Sequence, residues 1–194
     1  MVKTYDLLTC RSRSIAAAFP RPRCIVDCTE LFVQKPQGST DQAATYSSYK
    51  KHNTIKVLVA VAGNGHVMFV SSAWAGRTSD NYIFKHCGLL ELLRSGDQLL
   101  ADRGFTIIDE LLRREIEINI PPAATKVAQF TVGSVDETQR TANARIHVER
   151  VIGQMKTYQL LNGVLPLTMS AFVDKVFKAI AILVNLQDEL VRPA

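Results

Sequence analysis

Hydrophobic residues along this chain gather in short runs, rich in valine, leucine and isoleucine, that are typical of buried β-strands. Two of these runs flank Asn64-Gly65, a pair that tolerates positive φ and marks a tight hairpin turn between antiparallel strands. Consecutive prolines at 121 and 122 end the last run. The pattern predicts strands over residues 23–33, 55–62, 66–72, 99–101 and 117–120.

Other segments repeat apolar residues every three or four positions, as amphipathic helices do. A capping box, Ser134-Val135-Asp136-Glu137, predicts the start of a long helix. The predicted helices cover residues 81–93 (broken near Gly88), 107–114, 134–158 and 170–190. Residues 34–45 show no periodicity, so we expect a loop there. The buried faces of the two last helices are predicted to comprise Val148, Val151, Ile152 and Met155, and Phe172, Val176, Phe177, Ile180, Leu183 and Val184.

This order of elements, an antiparallel hairpin joined to strands that alternate with helices, predicts an α/β fold. We expect an RNase H-like mixed sheet, with an antiparallel hairpin plus parallel strands and with helices on both faces. In that sheet the first and fourth strands lie side by side. One such domain is predicted over residues 23–194, after a basic lead-in over residues 1–22.

Composition narrows the class of protein. The chain has 194 residues, 47% of them hydrophobic, which is enough for one globular domain and argues against disorder. The net charge of +5 suits a polyanionic partner such as nucleic acid. The four cysteines form no CxxC pair, which favours free thiols in a reducing compartment. No leader segment or membrane-length apolar run is visible, so we expect a soluble intracellular protein without a membrane partner.

Carboxylates fall where the predicted strands end. Asp27 lies in the first strand, and Asp102 follows the fourth strand immediately before Arg103-Gly104. Adjacent carboxylates repel one another and ionise together most readily around divalent cations. Glu149, on the long helix packed over the sheet, is the candidate third ligand. Three such residues can hold two Mg²⁺ or Mn²⁺ ions for phosphodiester chemistry. Cationic side chains predicted to flank this site and contact a DNA backbone are Arg103, Arg145 and Lys156.

Two further stretches have two interpretations each. Basic and aromatic residues interleave in residues 46–53, where Lys50 and Lys51 are candidate DNA contacts; alternatively, this is a solvated loop with two core tyrosines. Asp80 is either the N-cap of the helix that follows it or a site residue.

Five short motifs in order resemble the DDE superfamily endonuclease domain of PIF/Harbinger-type transposases, a domain shared by harbinger transposase-derived nucleases and THAP-associated relatives. They are IVDCTE (25–30), YSSYKKHNT (46–54), GRTSD (76–80), LADRGF (100–105) and ARIHVERVIGQMK (144–156). The resemblance covers the chain from about Cys24 to the last helix. It implies a catalytic triad of Asp27, Asp102 and Glu149, with Asp80 as an auxiliary metal ligand.

The implied activity is that of a transposase-derived hydrolase that cuts or transfers DNA strands in the nucleus with two divalent cations. No helix-turn-helix or zinc-bound module precedes Cys24 in this sequence, so we expect the chain to be a fragment, a truncated copy, or the product of a domesticated gene with a separate DNA-binding partner protein. A homo-oligomer is a further expectation. The alternative is a domesticated, non-catalytic adaptor that binds DNA or protein. A haloacid-dehalogenase-like phosphatase fits less well, because it needs a second acid where this chain has Thr29.

Overall fold

The computed structural model describes residues 22–102, 104–120 and 146–187. Its centre is a long strand, β1, which runs from Pro22 to Val33 and has neighbours on both sides. The predicted lead-in, apart from Pro22, and the predicted start of the long helix lie outside the described residues.

Strands of both orientations surround β1, as predicted. After β1, the strands are β2 (Tyr46–Ser47), β3 (His52–Val61), β4 (Val67–Val70), β5 (Trp74–Ala75), β6 (Gln98–Ala101), β7 (Glu117–Asn119) and β8 (Val164–Leu165). The strand β3 pairs with β1 in the antiparallel sense, whereas β6 and β8 pair with it in the parallel sense. The sheet has the order β2-β3-β1-β6-β7, with β4 and β5 also on β3 and β8 also on β1.

Short helices connect these strands. The described part of the long predicted helix covers residues 146–156 and is called α4 here. The other helices are α1 (Ser39–Thr45), α2 (Asp80–His86), α3 (Ile108–Arg113) and α5 (Val173–Asn185). Short 3₁₀ segments occur at Leu89–Glu91, Gln159–Leu161 and Leu167–Phe172. In the described part of the chain, no helix has the length and apolarity needed to cross a bilayer.

Alternation along the strands separates two apolar cores, one on each face of the sheet. One face of β1 carries Ile25, Leu31 and Val33, which pack with α4 and α5 in one cluster. The other face carries Cys24 and Val26, which belong to the cluster beneath α2 and α3. The sheet thus has helices on both faces, which confirms the predicted RNase H-like fold class.

The hairpin prediction is confirmed, because β3 and β4 pair in the antiparallel sense around Gly63-Asn64-Gly65. Gly65 has a φ of 92°, and its N–H donates to the Ala62 carbonyl at 2.9 Å. Gly88, with a φ of 86°, ends the helix where the sequence predicted a break.

Two local predictions are wrong. Residues 34–45 were expected to be a loop but contain α1, which buries no residue and therefore shows no apolar periodicity. In the last helix, Phe172 and Leu183 were expected in the core but are 53% and 47% exposed. The chain enters that helix through a 3₁₀ turn, which moves Phe172 off the buried face.

Candidate active site

Asp27, in the middle of β1, and Asp102, directly after the last residue of β6, occupy neighbouring positions on paired parallel strands. The register of β1 against β6 matches Ile25 with Leu100 and Val26 with Ala101, so the next residue on each strand is one of these aspartates. Neighbouring strands lie about 4.8 Å apart. Both aspartates are half-buried, and the Cys28 amide donates to Asp27 Oδ1 at 2.8 Å. Two residues with hard oxygen donors therefore lie side by side where β6 ends against β1.

The strand alternation directs these aspartates toward α4. Asp27 is two residues from Ile25, and Asp102 is two residues from Leu100, both of which pack in the cluster that includes Val148 and Val151 of α4. The apolar residues predicted for α4, Val148, Val151, Ile152 and Met155, are all buried. Glu149 lies on the same helix and is exposed.

Glu149 does not join the aspartates in a tight cluster. Within residues 22–102, 104–120 and 146–187, no group of three or more His, Cys, Asp or Glu side chains is close enough to hold a metal ion. The donor chemistry of Asp27 and Asp102, two carboxylates at one edge, does fit a divalent cation such as Mg²⁺ or Mn²⁺.

Lys156 ties the end of α4 to β1. Its Nζ donates to the Glu30 carbonyl at 3.0 Å. Burial, followed by the nearby Lys50 ammonium, lowers the pKa of Lys156, while Glu30 and Asp27 act in the opposite sense. Lys50 and Lys156, two cations predicted to contact DNA, thus act on each other electrostatically.

A separate polar network occupies the opposite face of β1. Lys56 Nζ lies 2.9 Å from Asp80 Oδ1 and 3.8 Å from Glu30 Oε1, and it also donates to the Thr78 carbonyl at 3.0 Å. Thr54 Oγ1 donates to Glu30 Oε2 at 2.7 Å. Sequence reasoning missed this network. The signal that could have revealed it is the opposite charge of Glu30 and Lys56, which the antiparallel register of β1 against β3 pairs directly.

Asp80 belongs to that network. The predicted N-cap role is wrong: Ser79 is the N-cap of α2, because its Oγ accepts from the Tyr82 amide at 3.3 Å. Asp80 is the first residue of α2, and its partner is Lys56 on the face of β1 that carries Cys28, away from Asp27. Its other oxygen, Oδ2, lies near Gly104, where an added Cβ would be 3.5 Å away.

The cysteines of the described residues are free thiols, as predicted for Cys24, Cys28 and Cys87. Burial raises the pKa of Cys24 to about 12. Burial, followed by the negative charges of Asp80 and Asp27, raises the pKa of Cys28 as well. Both thiols are protonated at neutral pH, so neither is a nucleophile or a ready metal ligand.

The basic and aromatic segment forms β2 and the turn into β3. The expectation of two core tyrosines is wrong, because Tyr46 is 48% exposed and Tyr49 is 81% exposed. Lys50 Nζ lies 4.7 Å from the Tyr49 ring centroid. The remaining predicted DNA contacts, Arg103 and Arg145, lie outside the described residues.

Comparison with known proteins gives one match. The family model described as DDE superfamily endonuclease matches residues 26–185, which is more than half of the chain. No curated protein and no solved structure matches.

Proposed function

This chain belongs to the DDE superfamily endonuclease family, and we propose that it is a divalent-metal-dependent DNA endonuclease of the PIF/Harbinger type. Asp27, Asp102 and Glu149 are the proposed catalytic carboxylates. The proposed substrate is the phosphodiester backbone of DNA in the nucleus, reached with the help of a separate DNA-binding protein.

One observation carries the proposal. Parallel pairing of β1 with β6 sets Asp27 beside Asp102, although 75 positions separate the two aspartates in sequence. Mutual repulsion makes such a pair costly in a protein that does not use it. Glu149 lies on α4, whose Val148 and Val151 pack in the cluster that includes Ile25 and Leu100, and this supports its assignment as the third carboxylate.

Each of the proposed residues has a distinct role. Asp27 and Asp102 would hold the cations on a rigid strand edge, where the Cys28 amide fixes the orientation of one Asp27 oxygen. Glu149 would approach from α4 as the third ligand. Lys156 would attract and orient the phosphate beside this site, and Lys50 would contact the DNA backbone farther along β1. Divalent cations, when bound, would activate a water and stabilise charge on the departing oxygen.

A second candidate is a non-catalytic, domesticated adaptor that binds DNA or protein. The observation that favours it is the absence of a three-member acidic cluster among the described side chains. The two candidates differ in whether cations bind and whether DNA is cut.

The test is cleavage of supercoiled plasmid by the wild-type protein, Asp102→Asn and Glu149→Gln, each with Mg²⁺, with Mn²⁺ and with chelator. We expect metal-dependent cutting by the wild type, and losses on the order of 10³-fold in both variants, since each removes a carboxylate worth several kcal/mol at the transition state. Asp109→Asn, which removes an exposed carboxylate from α3, is the matched control and should cut normally.

A readout independent of cutting is thermal unfolding with and without Mn²⁺. Binding to the folded state raises Tm, and Asp102→Asn should show a smaller rise than wild type or Asp109→Asn. Cutting by Asp102→Asn at the wild-type rate would refute the site. Wild-type protein that binds DNA but neither cuts it nor gains stability from Mn²⁺ would establish the adaptor instead.

A further inference from the structure

An open cleft of about 980 Å³ lies at the far end of β1 from Asp27, between α1, the β2–β3 turn and the segment after β5. We infer that this cleft, called here the basic cleft, binds the sugar-phosphate backbone of a DNA strand at a second point, away from the proposed carboxylate site. The inference rests on the proposed function for the identity of its ligand as DNA.

Three permanent cations reach the basic cleft from three separate parts of the sequence. Lys35 follows β1, Lys51 lies in the β2–β3 turn, and Arg77 follows β5. All three are exposed, and in the described part of the chain none of them forms an ion pair. His52, Gln42 and Asn53 add polar groups to the lining.

The lining contains no acidic residue among the described side chains. Some cations elsewhere are matched by carboxylates: Lys56 contacts two of them, and Lys178 is 3.7 Å from Asp174. Concave walls with one sign of charge focus the electrostatic field on a ligand of the opposite sign. The basic cleft is therefore built for an anion.

Hydrogen bonds hold the three walls in place. Asn53 Nδ2 donates to the Gln42 carbonyl at 3.0 Å and to Thr45 Oγ1 at 2.8 Å, which fixes α1 against β3. The Arg77 amide donates to the Ala44 carbonyl at 3.1 Å, which fixes the third wall to α1.

Gly76 lets the segment after β5, which is the third wall of the basic cleft, approach α1 and β3 closely. A Cβ at this position would lie 2.6 Å from the Thr45 carbonyl oxygen and 2.8 Å from the Thr54 carbonyl oxygen, so only glycine fits. Lys51 has a φ of 52°, in the left-handed region that a lysine rarely adopts. Backbone constraints thus converge on the positions that supply Arg77 and Lys51.

Size and position favour a polymer. The cleft is far larger than one phosphate needs, and exposed Tyr49 and Lys50 lie in the same turn as Lys51. Gln34, which lines the cleft, lies seven residues beyond Asp27, or about 23 Å along β1. A nucleic-acid strand rises about 3.4 Å per nucleotide, so the two sites are about seven nucleotides apart. One DNA strand can occupy both.

The experiment measures binding of a 20-base-pair duplex by fluorescence anisotropy in chelator, across a range of salt concentrations. The variant is Lys35→Ala/Lys51→Ala/Arg77→Ala, with Lys35→Glu alone as a second variant, since an exposed loop side chain can change without harm to folding. Each lost phosphate contact lowers the salt slope by about 0.9. We expect the triple variant to bind at least about tenfold more weakly, with a slope lower by two to three units.

The matched control removes three exposed cations elsewhere, as Arg113→Ala/Lys175→Ala/Lys178→Ala. Equal DNA binding by the triple variant and this control would overturn the inference, whatever the plasmid assay shows. So would a wild-type protein with no affinity for the duplex. Failure of the nuclease proposal can be distinguished from failure of this inference, because DNA binding in chelator depends neither on metal nor on cutting.

A second arm measures the rise in Tm with pyrophosphate. A cleft for small phosphorylated ligands would show that rise in wild type and lose it in the triple variant, while DNA binding stays unchanged. That result would overturn the nucleic-acid inference.

Discussion

The two faces of β1 use acidic residues in opposite ways. On one face, Glu30 and the neighbouring Asp80 share the Lys56 ammonium, which is only 13% exposed. On the other face, Asp27 stands beside Asp102 at a strand edge, and its Oδ1 accepts from the Cys28 amide. The two arrangements begin only three residues apart on the same strand.

Lys56 contacts both carboxylates of the first face, so substitutions there are expected to act on the stability of the fold. On the second face, the proposed role of Asp27 and Asp102 is to hold divalent cations, so substitutions there are expected to act on activity. Substitutions on the two faces should separate stability from activity.

The largest expected effect is on activity at the Asp27 face. Asp27→Asn should lower cleavage by on the order of 10³-fold, because a proposed metal ligand is lost, while the free energy of unfolding changes by less than about 1 kcal/mol. Plasmid cleavage and urea unfolding of the same sample test this. If the variant is unfolded at room temperature, Asp27 stabilises the fold as Glu30 and Asp80 do, and the proposed difference between the two faces of β1 is refuted.

Next in size is the loss of the cation on the other face. Lys56→Met leaves Glu30 and Asp80 without their shared partner and should lower the free energy of unfolding by about 3 kcal/mol. Urea unfolding measures this, with Lys178→Met as the control: its ion pair is on the surface and should cost less than about 0.5 kcal/mol. Equal values for both variants would show that Lys56 contributes no more than a surface lysine.

Gly76→Ala is a further test of the Glu30 face, because Gly76 lies against Thr54, whose hydroxyl donates to Glu30. The added methyl would overlap the Thr45 and Thr54 carbonyl oxygens, and we expect a loss of about 2 kcal/mol in the free energy of unfolding. Gly153→Ala in α4 is the control, because a Cβ there meets no atom within 4 Å and alanine favours a helix. That variant should unfold at the same urea concentration or a higher one.

The smallest effect concerns pH on the Cys24 face of the sheet. Burial raises the pKa of Cys24 from 9.0 to about 12, so above pH 9 the unfolded chain loses this proton while the folded chain keeps it. Stability from this group is present below pH 9 and is lost as pH rises toward 12. Between pH 8 and pH 10, wild type should lose about 1.4 kcal/mol more than Cys24→Val. Parallel stability profiles for the two proteins would refute the assignment.

Elements with strong periodicity or an unambiguous turn were predictable from sequence. Asn64-Gly65 between two valine-rich runs identified the hairpin, and that order of strands led to the neighbouring places of Asp27 and Asp102. The resemblance to the DDE superfamily is confirmed by the family match over residues 26–185. The catalytic roles of the three carboxylates stay predictions.

Features that depend on tertiary contacts were not predictable. Helix α1 buries no residue and is fixed by Asn53, eight residues beyond Thr45, so its own sequence carries no helical pattern. Ser79 and Asp80 are both good capping residues; in the structure Ser79 accepts from the Tyr82 amide, and Asp80 pairs with Lys56. The basic cleft joins Lys35, Lys51 and Arg77, which no local motif connects.

The proposed site needs β6 beside β1 and α4 packed over both strands. The time at which these elements are synthesised therefore determines when the site can form. A ribosome releases β1 early, but its parallel partner lies some 75 residues later and α4 about 120 residues later, and loops of this length close slowly. Until then Ile25 and Leu31 lack the apolar cover that α4 and α5 supply. A nascent or prematurely terminated chain therefore lacks the proposed site of Asp27, Asp102 and Glu149 and exposes apolar residues of β1 to chaperones, so the order of translation itself delays the proposed activity until the domain is whole.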